Sequence, residues 1–262
     1  MSGDSSAALW ETVARRADLL DELRAGPRKK RALVSALSVS RSTVDRAVAE
    51  LSELGLVADT NGEVRSTAAG DLVAVLYRDA ASGADELLRL APYLDDLDEP
   101  LRPPPTFFGE TTVVTAEDDT HAPGEQLIDA FLTADRCRLV RGTIRPAFAA
   151  EVRERMFDGT LELEVALCSD SVEVLRSYHG IDLERVLDLP GVTVRAYPEP
   201  LHSGLYLFET DGEWSVRLSI HDRTTDRVRV LLGTDRPAAV AWAERTLHEV
   251  FEQSSPVATD QP

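Results

Sequence analysis

The first third of the chain shows helical patterns of apolar residues separated by glycine stops. Apolar residues recur at three- and four-residue steps over residues 8–25, which predicts a first helix that ends at Gly26-Pro27. The same periodicity predicts a second helix over 28–37 and a third over 41–54, and Gly55 stops the third. Three helices in this order, with a short connection before the third, are typical of a helix-turn-helix.

The residues after Gly55 predict a small hairpin. Short strands are expected at 56–58 and 64–66, on either side of a turn in which Asn61-Gly62 favours positive φ. A further helix is expected to begin near Thr67. The hairpin acts as a wing, so the fold predicted for this segment is a winged helix-turn-helix.

The remaining two thirds predict a different architecture. An amphipathic helix over 84–97 is followed by the proline-rich stretch 99–105, which cannot be helical. The predicted strands then lie at 107–116, 136–143, 161–168, 192–197, 204–209, 214–221 and 228–233, and the predicted helices at 123–134, 146–157, 171–189 and 237–252. Strands and helices that alternate, followed by successive strands, predict an α/β domain with a mixed sheet.

The predicted fold class is therefore α+β, with an N-terminal winged helix-turn-helix and a C-terminal α/β mixed-sheet domain. The expected divisions are 1–80 for the DNA-binding domain, 81–104 for a helical and Pro-rich linker, 105–252 for a sensor domain and 253–262 for a disordered tail.

Charge is distributed unevenly along the chain. The 46 acidic residues exceed the 28 basic ones, for a formal net charge of −18. An acidic balance ordinarily argues against nucleic acid as partner. However, arginine-rich usage with only two lysines resembles proteins of organisms that keep molar salt in the cytoplasm, where surface carboxylates maintain solubility. Both lysines fall in the basic segment 28–46, where Asp45 is the only acid.

The third helix carries the candidate DNA contacts. Ser40 is placed to cap it, and the side chains of its first turn lie opposite its apolar face, where they can enter a major groove. Arginine can pair bidentately with guanine, and serine or threonine can contact a base edge or a phosphate. The predicted DNA-binding residues are Arg28, Lys29, Lys30, Arg31, Ser40, Arg41, Ser42, Thr43, Arg46 and Arg65. The alternative is that the basic segment is simply a solvated surface.

Two parts of the sequence resemble known families. Residues 40–47, 51–56 and 67–70 resemble the winged-helix domain of archaeal, halophile-type transcription regulators. The layout of the rest of the chain, ending in the helix that contains Trp242, resembles a methanogenesis-regulatory sensor domain. The resemblance implies promoter binding as a homodimer, a metabolite-sensing second domain, and a fold similar to a phospholipase-D-like half without catalysis.

The second domain lacks the residues for phosphoester hydrolysis. A phospholipase D would carry His-x-Lys where this chain has His202-Ser203-Gly204, and no lysine follows Lys30. Known nucleotide-binding, hydrolase and metalloprotease motifs are also missing from the sequence. We therefore expect no enzyme activity, catalytic residue, metal site or cofactor.

A ligand site in the second domain is expected where strands end, because loops converge there. The candidate effector-binding residues are Arg141, Arg145, Ser169, His202 and Ser203. Their arginines favour a small anionic metabolite, although ion pairs within the protein explain them equally well.

Cys137 and Cys168 lie in apolar runs without metal-ligand spacing and are expected to be buried free thiols. The chain has neither a long apolar span nor a signal-peptide pattern, so we expect a cytoplasmic protein without membrane contact.

The sequence thus favours a regulator that binds double-stranded DNA as a homodimer and whose second domain senses an effector or mediates dimerisation. Two alternatives remain open: a phosphoester hydrolase targeted by its winged helix, and a protein-interaction module.

Overall fold

The computed structural model describes residues 3–117, 119–143, 146–177, 182–225 and 227–257. It divides into two compact units, residues 1–84 and 85–262. The predicted fold class is confirmed, since the first unit is a winged helix-turn-helix and the second contains a mixed sheet flanked by helices.

The first unit consists of helices around one apolar core and a small sheet. Its helices are α1 (Gly3–Arg24), α2 (Lys30–Ala36), α3 (Arg41–Glu53) and the first part of α4 (Ala68–Leu94). Its strands are β1 (Arg28–Lys29), β2 (Val57–Thr60) and β3 (Glu63–Ser66), in the order β1-β3-β2. Core side chains from α1, α2, α3 and the wing are almost fully buried, including Leu20, Leu33, Leu51 and Val64.

The turn of the wing has the predicted backbone, but the start of the second helix differs from the prediction. Asn61 and Gly62 have φ of 54° and 79°, as a two-residue hairpin turn requires. However, Arg28 and Lys29 form a strand instead of the predicted first turn of the second helix. Their backbone pairs with Val64 and Glu63 of β3. Pairing with a distant strand therefore overrides the local helical pattern.

Gly70 allows α4 to pack closely on the wing. A Cβ atom on Gly70 would lie 2.0 Å from the carbonyl oxygen of Leu56, which no side chain can tolerate. The hydroxyl of Thr67 accepts a hydrogen bond from the Gly70 amide and donates to the carbonyl of Gly55. The glycine and the threonine together fix where α4 begins.

The predicted break between two helices near residue 80 was wrong. α4 continues from Ala68 to Leu94, because the intervening alanines favour helix and Gly83 alone does not end it. The predicted linker 81–104 was also wrong, since Leu90, Tyr93, Leu97 and Leu101 are buried in the core of the second unit. The amphipathic pattern of 84–97 indicated a face to bury but not which unit would cover it, and Leu101 lies in the proline-rich stretch, where no periodicity marks burial.

The second unit is built on a mixed sheet. In addition to the end of α4, its helices are α5 (Ala122–Thr133), α6 (Pro146–Phe157), α7 (Ser169–Ser177), α8 (Leu183–Leu187) and α9 (Pro237–Gln253), with short 3-10 turns at Glu99–Leu101 and Pro105–Phe107. Its strands are β4 (Thr112–Thr115), β5 (Arg136–Arg141), β6 (Glu162–Cys168), β7 (Val192–Tyr197), β8 (Ser203–Thr210), β9 (Glu213–His221), β10 (Val228–Thr234) and β11 (Ser255–Pro256).

The strand order is β11-β7-β6-β5-β8-β9-β10-β4. β5, β6 and β7 are parallel, and the remaining pairs are antiparallel. One face of the sheet packs on α9 and the Phe107 region, and the other packs on α5 to α8. The carboxyl ends of the parallel strands therefore share an edge with the start of β8.

Two boundaries in this unit differ from those predicted. The first strand is limited to Thr112–Thr115, because Phe107 and Phe108 turn inward next to a 3-10 helix and are buried. Within the predicted disordered tail, Ser255 and Pro256 pair with Ala196 and Arg195 of β7. Cys137 and Cys168 are buried free thiols, as expected. Among the described residues, no helix combines the length and apolar character needed to cross a membrane.

Candidate nucleic-acid interface

The N-terminus of α3 is capped as the sequence predicted. The Ser40 hydroxyl accepts a hydrogen bond from the Thr43 amide at 3.1 Å, and Ser40 has the extended backbone of a cap residue. Its oxygen also lies 2.8 Å from the Ser42 hydroxyl. The helix therefore starts at Arg41, with its first-turn side chains set by the cap.

The two faces of α3 differ in burial. Its inner face is almost inaccessible and consists of Val44, Ala47, Val48 and Leu51. Arg41, Ser42 and Arg46 are exposed on the outer face, with 86% of the Arg41 side chain accessible, while Thr43 is half-buried. Burial of the apolar face leaves this helix one orientation, which presents these polar side chains to solvent.

An ion pair between helices holds α3 against α1. The Arg16 guanidinium donates to both carboxylate oxygens of Glu50, at 2.9 and 3.2 Å. This interaction lowers the pKa of Glu50. Bidentate geometry makes the pair more specific than a single contact.

Several predicted DNA contacts are engaged with carboxylates of the protein itself. Arg28 lies 3.5 Å from Glu22, and its guanidinium also donates to the Glu22 carbonyl. The Lys30 ammonium lies 2.7 Å from Asp59 and 3.1 Å from Asp45. The basic segment is therefore less available to DNA than its sequence charge suggested.

The hydrogen bonds from Lys30 shift the pKa values of Lys30 and Asp59. The pKa of Lys30 is raised because Asp59 and Asp45 accept hydrogen bonds from its ammonium group. The same ammonium, with the Gly62 amide, lowers the pKa of Asp59. Lys30 and Asp59 therefore both stay charged over a wider pH range than either would alone. The sequence identified Lys30 but not its partners, because the acids come from α3 and β2.

The other predicted cations are exposed. Lys29 lies on the edge strand β1, Arg31 in the first turn of α2, and Arg65 on β3. Within the described part of the chain, no hydrogen bond or ion pair is found for these three side chains. The structure thus separates the predicted set into cations open to solvent and cations held by acids.

The candidate effector residues of the second unit lie at one edge of the sheet, except Arg145, which falls outside the described residues. Arg141 ends β5 and pairs with Gly204, while Ser169 follows β6. Arg141 and Ser203 are buried, His202 is half-buried and Ser169 is exposed. The Ser169 hydroxyl donates to the Tyr197 carbonyl at 3.2 Å. Only part of the predicted group is therefore accessible to a ligand from solvent.

Asp98 was not predicted from sequence and organises this edge. One of its carboxylate oxygens accepts hydrogen bonds from the amides of His202 and Ser203, both at 2.7 Å. The Asp98 amide in turn donates to the Ser203 hydroxyl at 3.2 Å. No local signal marks Asp98, since it is one acid in an acidic segment and its partners lie 104 and 105 positions away.

A small polar cluster lies beside Gly204. The Ser219 hydroxyl is 2.8 Å from Nε2 of His221 and 3.3 Å from the Tyr206 hydroxyl, and all three residues are buried. A Cβ on Gly204 would lie 2.6 Å from the Tyr206 oxygen and 2.8 Å from that of Ser219. A side chain at position 204 would therefore require the Tyr206 and Ser219 hydroxyls to move.

Two family models match the chain. One, described as the HVO_A0261 N-terminal domain, matches residues 4–86. The other, described as the methanogenesis regulatory protein FilR1, middle domain, matches residues 120–253, just over half of the chain. The chain belongs to the FilR1 middle-domain family. This confirms the resemblance to a methanogenesis-regulatory protein that the sequence indicated. A search of curated protein sequences finds no match.

Several solved structures are similar to this chain. TrmBL2, described as an archaeal chromatin protein with a novel mode of DNA binding, is 12% identical with a TM-score of 0.42, covering 91% of this chain and 92% of its own. NucT from Helicobacter pylori is 11% identical with a TM-score of 0.46, covering 56% and 99%. Nuc from Salmonella typhimurium, a phospholipase D family member, is 9% identical with a TM-score of 0.44, covering 57% and 100%.

The shifted pKa values predict a pH window for the Lys30 ion pairs. Because its pKa is lowered in the folded protein, Asp59 contributes its full stabilisation above the ordinary pKa of aspartate. That stabilisation is lost as the pH falls through the pKa of Asp59 in the folded protein. Because its pKa is raised in the folded protein, Lys30 contributes its full stabilisation below the ordinary pKa of lysine. That stabilisation is lost as the pH rises through the pKa of Lys30 in the folded protein. We expect the difference in unfolding free energy between wild type and Lys30→Gln to be constant from about pH 5 to about pH 9.

Denaturant unfolding followed by circular dichroism measures this difference. Lys29→Gln serves as the control, because Lys29 is exposed and its variant removes the same charge. The assignment is contradicted if the difference changes through the neutral range, or if Lys29→Gln shows the same loss at acid pH.

Proposed function

We propose that this protein is a transcription regulator that binds double-stranded DNA in a sequence-specific manner. The observation that carries the proposal is the exposed face of α3, which presents Arg41, Ser42 and Arg46 next to a capped helix N-terminus. A helix of this kind fits the major groove, where side chains can reach base edges. Membership in a family named for a methanogenesis regulatory protein supports a regulatory role.

Different side chains are proposed for specificity and for affinity. Arg41 and Arg46 are assigned to base contacts, because both project from the outer face of α3. Lys29, Arg31 and Arg65 are assigned to phosphates, because they are exposed on the elements around it. A phosphate contact adds affinity without distinguishing sequences, whereas an arginine paired with guanine does both.

The acidic composition supports a setting of high salt. A chain with net charge −18 repels DNA at long range in dilute buffer, and concentrated salt screens that repulsion. Counterion release also contributes less driving force as bulk salt rises. Base contacts from α3 would then carry a larger share of the binding free energy.

The proposed location of the protein is the cytoplasm.

Arg41→Ala and Arg46→Ala test the DNA-binding proposal. Selection from random duplexes first identifies a preferred sequence, and fluorescence anisotropy then measures Kd. We expect each variant to raise Kd for that sequence by about 5- to 150-fold and to relax the preference at one base pair. Arg24→Ala is the matched control, since Arg24 is exposed in the last turn of α1. Unchanged affinity in both α3 variants would instead favour a protein-interaction module.

We further propose that two copies of the chain form a homodimer through the first part of α4. Leu72, Val75 and Leu76 lie on this helix with 68%, 42% and 58% of their surface exposed. Three large apolar side chains at this spacing form an uncharged stripe that water disfavours. A second copy suits a DNA reader, because a dimer reads two half-sites and one recognition helix alone buries little surface.

Substitution of this stripe tests the dimer. Multi-angle light scattering in high salt should give twice the 28.7 kDa chain mass for wild type and the chain mass for Leu72→Ser combined with Leu76→Ser. Leu88→Ser is the control, because Leu88 is also on α4 and 75% exposed. Monomeric wild type contradicts the dimer, and a dimeric double variant contradicts the proposed contact.

The second unit is proposed to bind a small anionic effector at the edge formed by Arg141, Ser169, His202 and Ser203. Ser169 is open to solvent and His202 is half-buried, while the buried Arg141 brings positive charge to this edge from below. No catalysis is proposed, because the sequence has Gly204 where a phospholipase D motif would have lysine, and a Cβ there would lie 2.6 Å from the Tyr206 hydroxyl. Ligand binding here would act by shifting the population of DNA-binding conformations.

Thermal unfolding with inorganic phosphate, a nucleoside monophosphate and succinate tests the effector proposal. At about 100 times its Kd, a bound anion should stabilise the native protein by about 2.7 kcal/mol and raise Tm. The rise should saturate in wild type and disappear in Arg141→Gln, measured relative to its own ligand-free Tm. Sodium chloride at matched ionic strength is the control. A Tm that none of the three anions raises beyond the chloride control contradicts an anionic effector at this edge.

A further inference from the structure

Four side chains of alternating charge connect the wing to the recognition helix: Asp59, Lys30, Asp45 and Arg41. We propose that Lys30 and Asp45 are positioning residues that hold Arg41 for base reading and tie the wing to α3, instead of contacting DNA phosphates. The part concerning Arg41 rests on the proposed DNA-binding function. The tie between wing and helix does not.

The Lys30 ammonium joins carboxylates from two different elements. Asp59 is on β2 and Asp45 is on α3, and their oxygens lie 2.7 and 3.1 Å from Nζ. The Lys30 side chain is only 26% exposed, although it carries a charge. Isolated surface ion pairs contribute little to stability, but one cation shared by two acids forms a network with defined geometry.

The backbone of Lys30 is part of the same arrangement. Its amide donates to the Gly62 carbonyl at 3.1 Å, and the Gly62 amide donates to the Asp59 carboxylate at 3.0 Å. The residue that follows β1 therefore contacts the wing turn through its main chain and Asp59 through its side chain. These bonds set the position of the wing turn relative to the start of α2.

Asp45 also forms an ion pair with Arg41. One oxygen of Asp45 faces Lys30, and the other lies 3.8 Å from Nε of Arg41, one helical turn away. This approach uses the Nε side of the guanidinium and leaves the terminal nitrogens accessible, in keeping with the 86% exposure of Arg41. Pairing with guanine needs two donors of one guanidinium held in a plane, so a side chain oriented beforehand loses less entropy on binding.

A phosphate contact would use Lys30 differently. To reach a phosphate, the ammonium would have to leave two carboxylates, which would then face the DNA without a counter-charge. Lys29 has no such cost, since it is exposed and no ion pair of its side chain is found among the described residues, although its backbone pairs with Glu63 of β3. The two lysines of the chain are therefore expected to act in different ways, which makes each a control for the other.

Lys30→Gln and Lys29→Gln are compared by anisotropy on the selected duplex and on a scrambled duplex over a series of salt concentrations. For Lys30→Gln we expect the preference for the selected duplex over the scrambled one, measured as the ratio of the two affinities, to fall about five- to tenfold. The salt dependence of binding should not change. For Lys29→Gln we expect both affinities to fall equally, and the slope of log K against log salt to decrease in magnitude by about 1 per protomer.

Lys30→Arg provides a conservative variant that keeps the charge, and it should restore most of the lost sequence preference. The proposal is overturned if Lys30→Gln lowers both affinities equally and reduces the slope as Lys29→Gln does. It is also overturned if Lys30→Arg fails to recover preference while its unfolding free energy matches wild type.

Amide hydrogen exchange without DNA separates the two proposals. Loss of the Lys30 contacts should speed exchange in β2 and β3 by about two- to fivefold in Lys30→Gln and not in Lys29→Gln. Unchanged exchange in Lys30→Gln overturns the tie between wing and helix, whatever the DNA result. If wild type selects no DNA sequence while exchange responds as expected, the proposed function fails and the tie stands.

Discussion

Burial of the inner face of α3 is the constraint on which the candidate interface depends. Val44, Val48 and Leu51 are almost completely inaccessible, and removing a side chain such as Leu51 from water contributes about 1.5 to 3 kcal/mol. The helix therefore has one orientation, and that orientation places Arg41 and Arg46 outward. The Ser40 cap sets where the helix starts, and the Arg16–Glu50 pair holds it against α1. The proposed base contacts would need this rigidity, because a displaced arginine cannot meet two acceptors of one base.

A second constraint comes from the excess of carboxylates. With 46 acids and 28 lysines and arginines, a cation on this protein often has an acid within reach. Arg28 and Lys30 illustrate the result, since both belong to the basic segment and both contact acids of the first unit. The effective positive surface is therefore smaller than a count of basic residues suggests. Which cations remain open to solvent decides what the surface can bind.

In the second unit, a carboxylate also binds groups of the protein itself, at the edge of the sheet. Asp98 fixes the chain before β8 through three hydrogen bonds with His202 and Ser203. Gly204 leaves space that the Tyr206 and Ser219 hydroxyls fill. The polar groups at this edge are therefore positioned largely by hydrogen bonds within the second unit.

The sequence by itself determined the elements that local chemistry controls. The bounds of α3, its serine cap and the Asn61-Gly62 turn follow from periodicity, capping and backbone sterics, which act within a few residues. The mixed-sheet class followed in the same way from the order of strand and helix patterns. Most strand positions of the second unit were predicted to within two residues for this reason.

Only the tertiary structure decided the interactions between residues distant in sequence. It turned Arg28 and Lys29 into a strand of the wing, continued α4 to Leu94, and placed the predicted linker in the core of the second unit. It also gave Lys30 its two acids and Asp98 its partners beyond residue 200. Charge and periodicity along the chain carry no information about such pairings, because they depend on which elements the folded backbone brings within hydrogen-bonding distance.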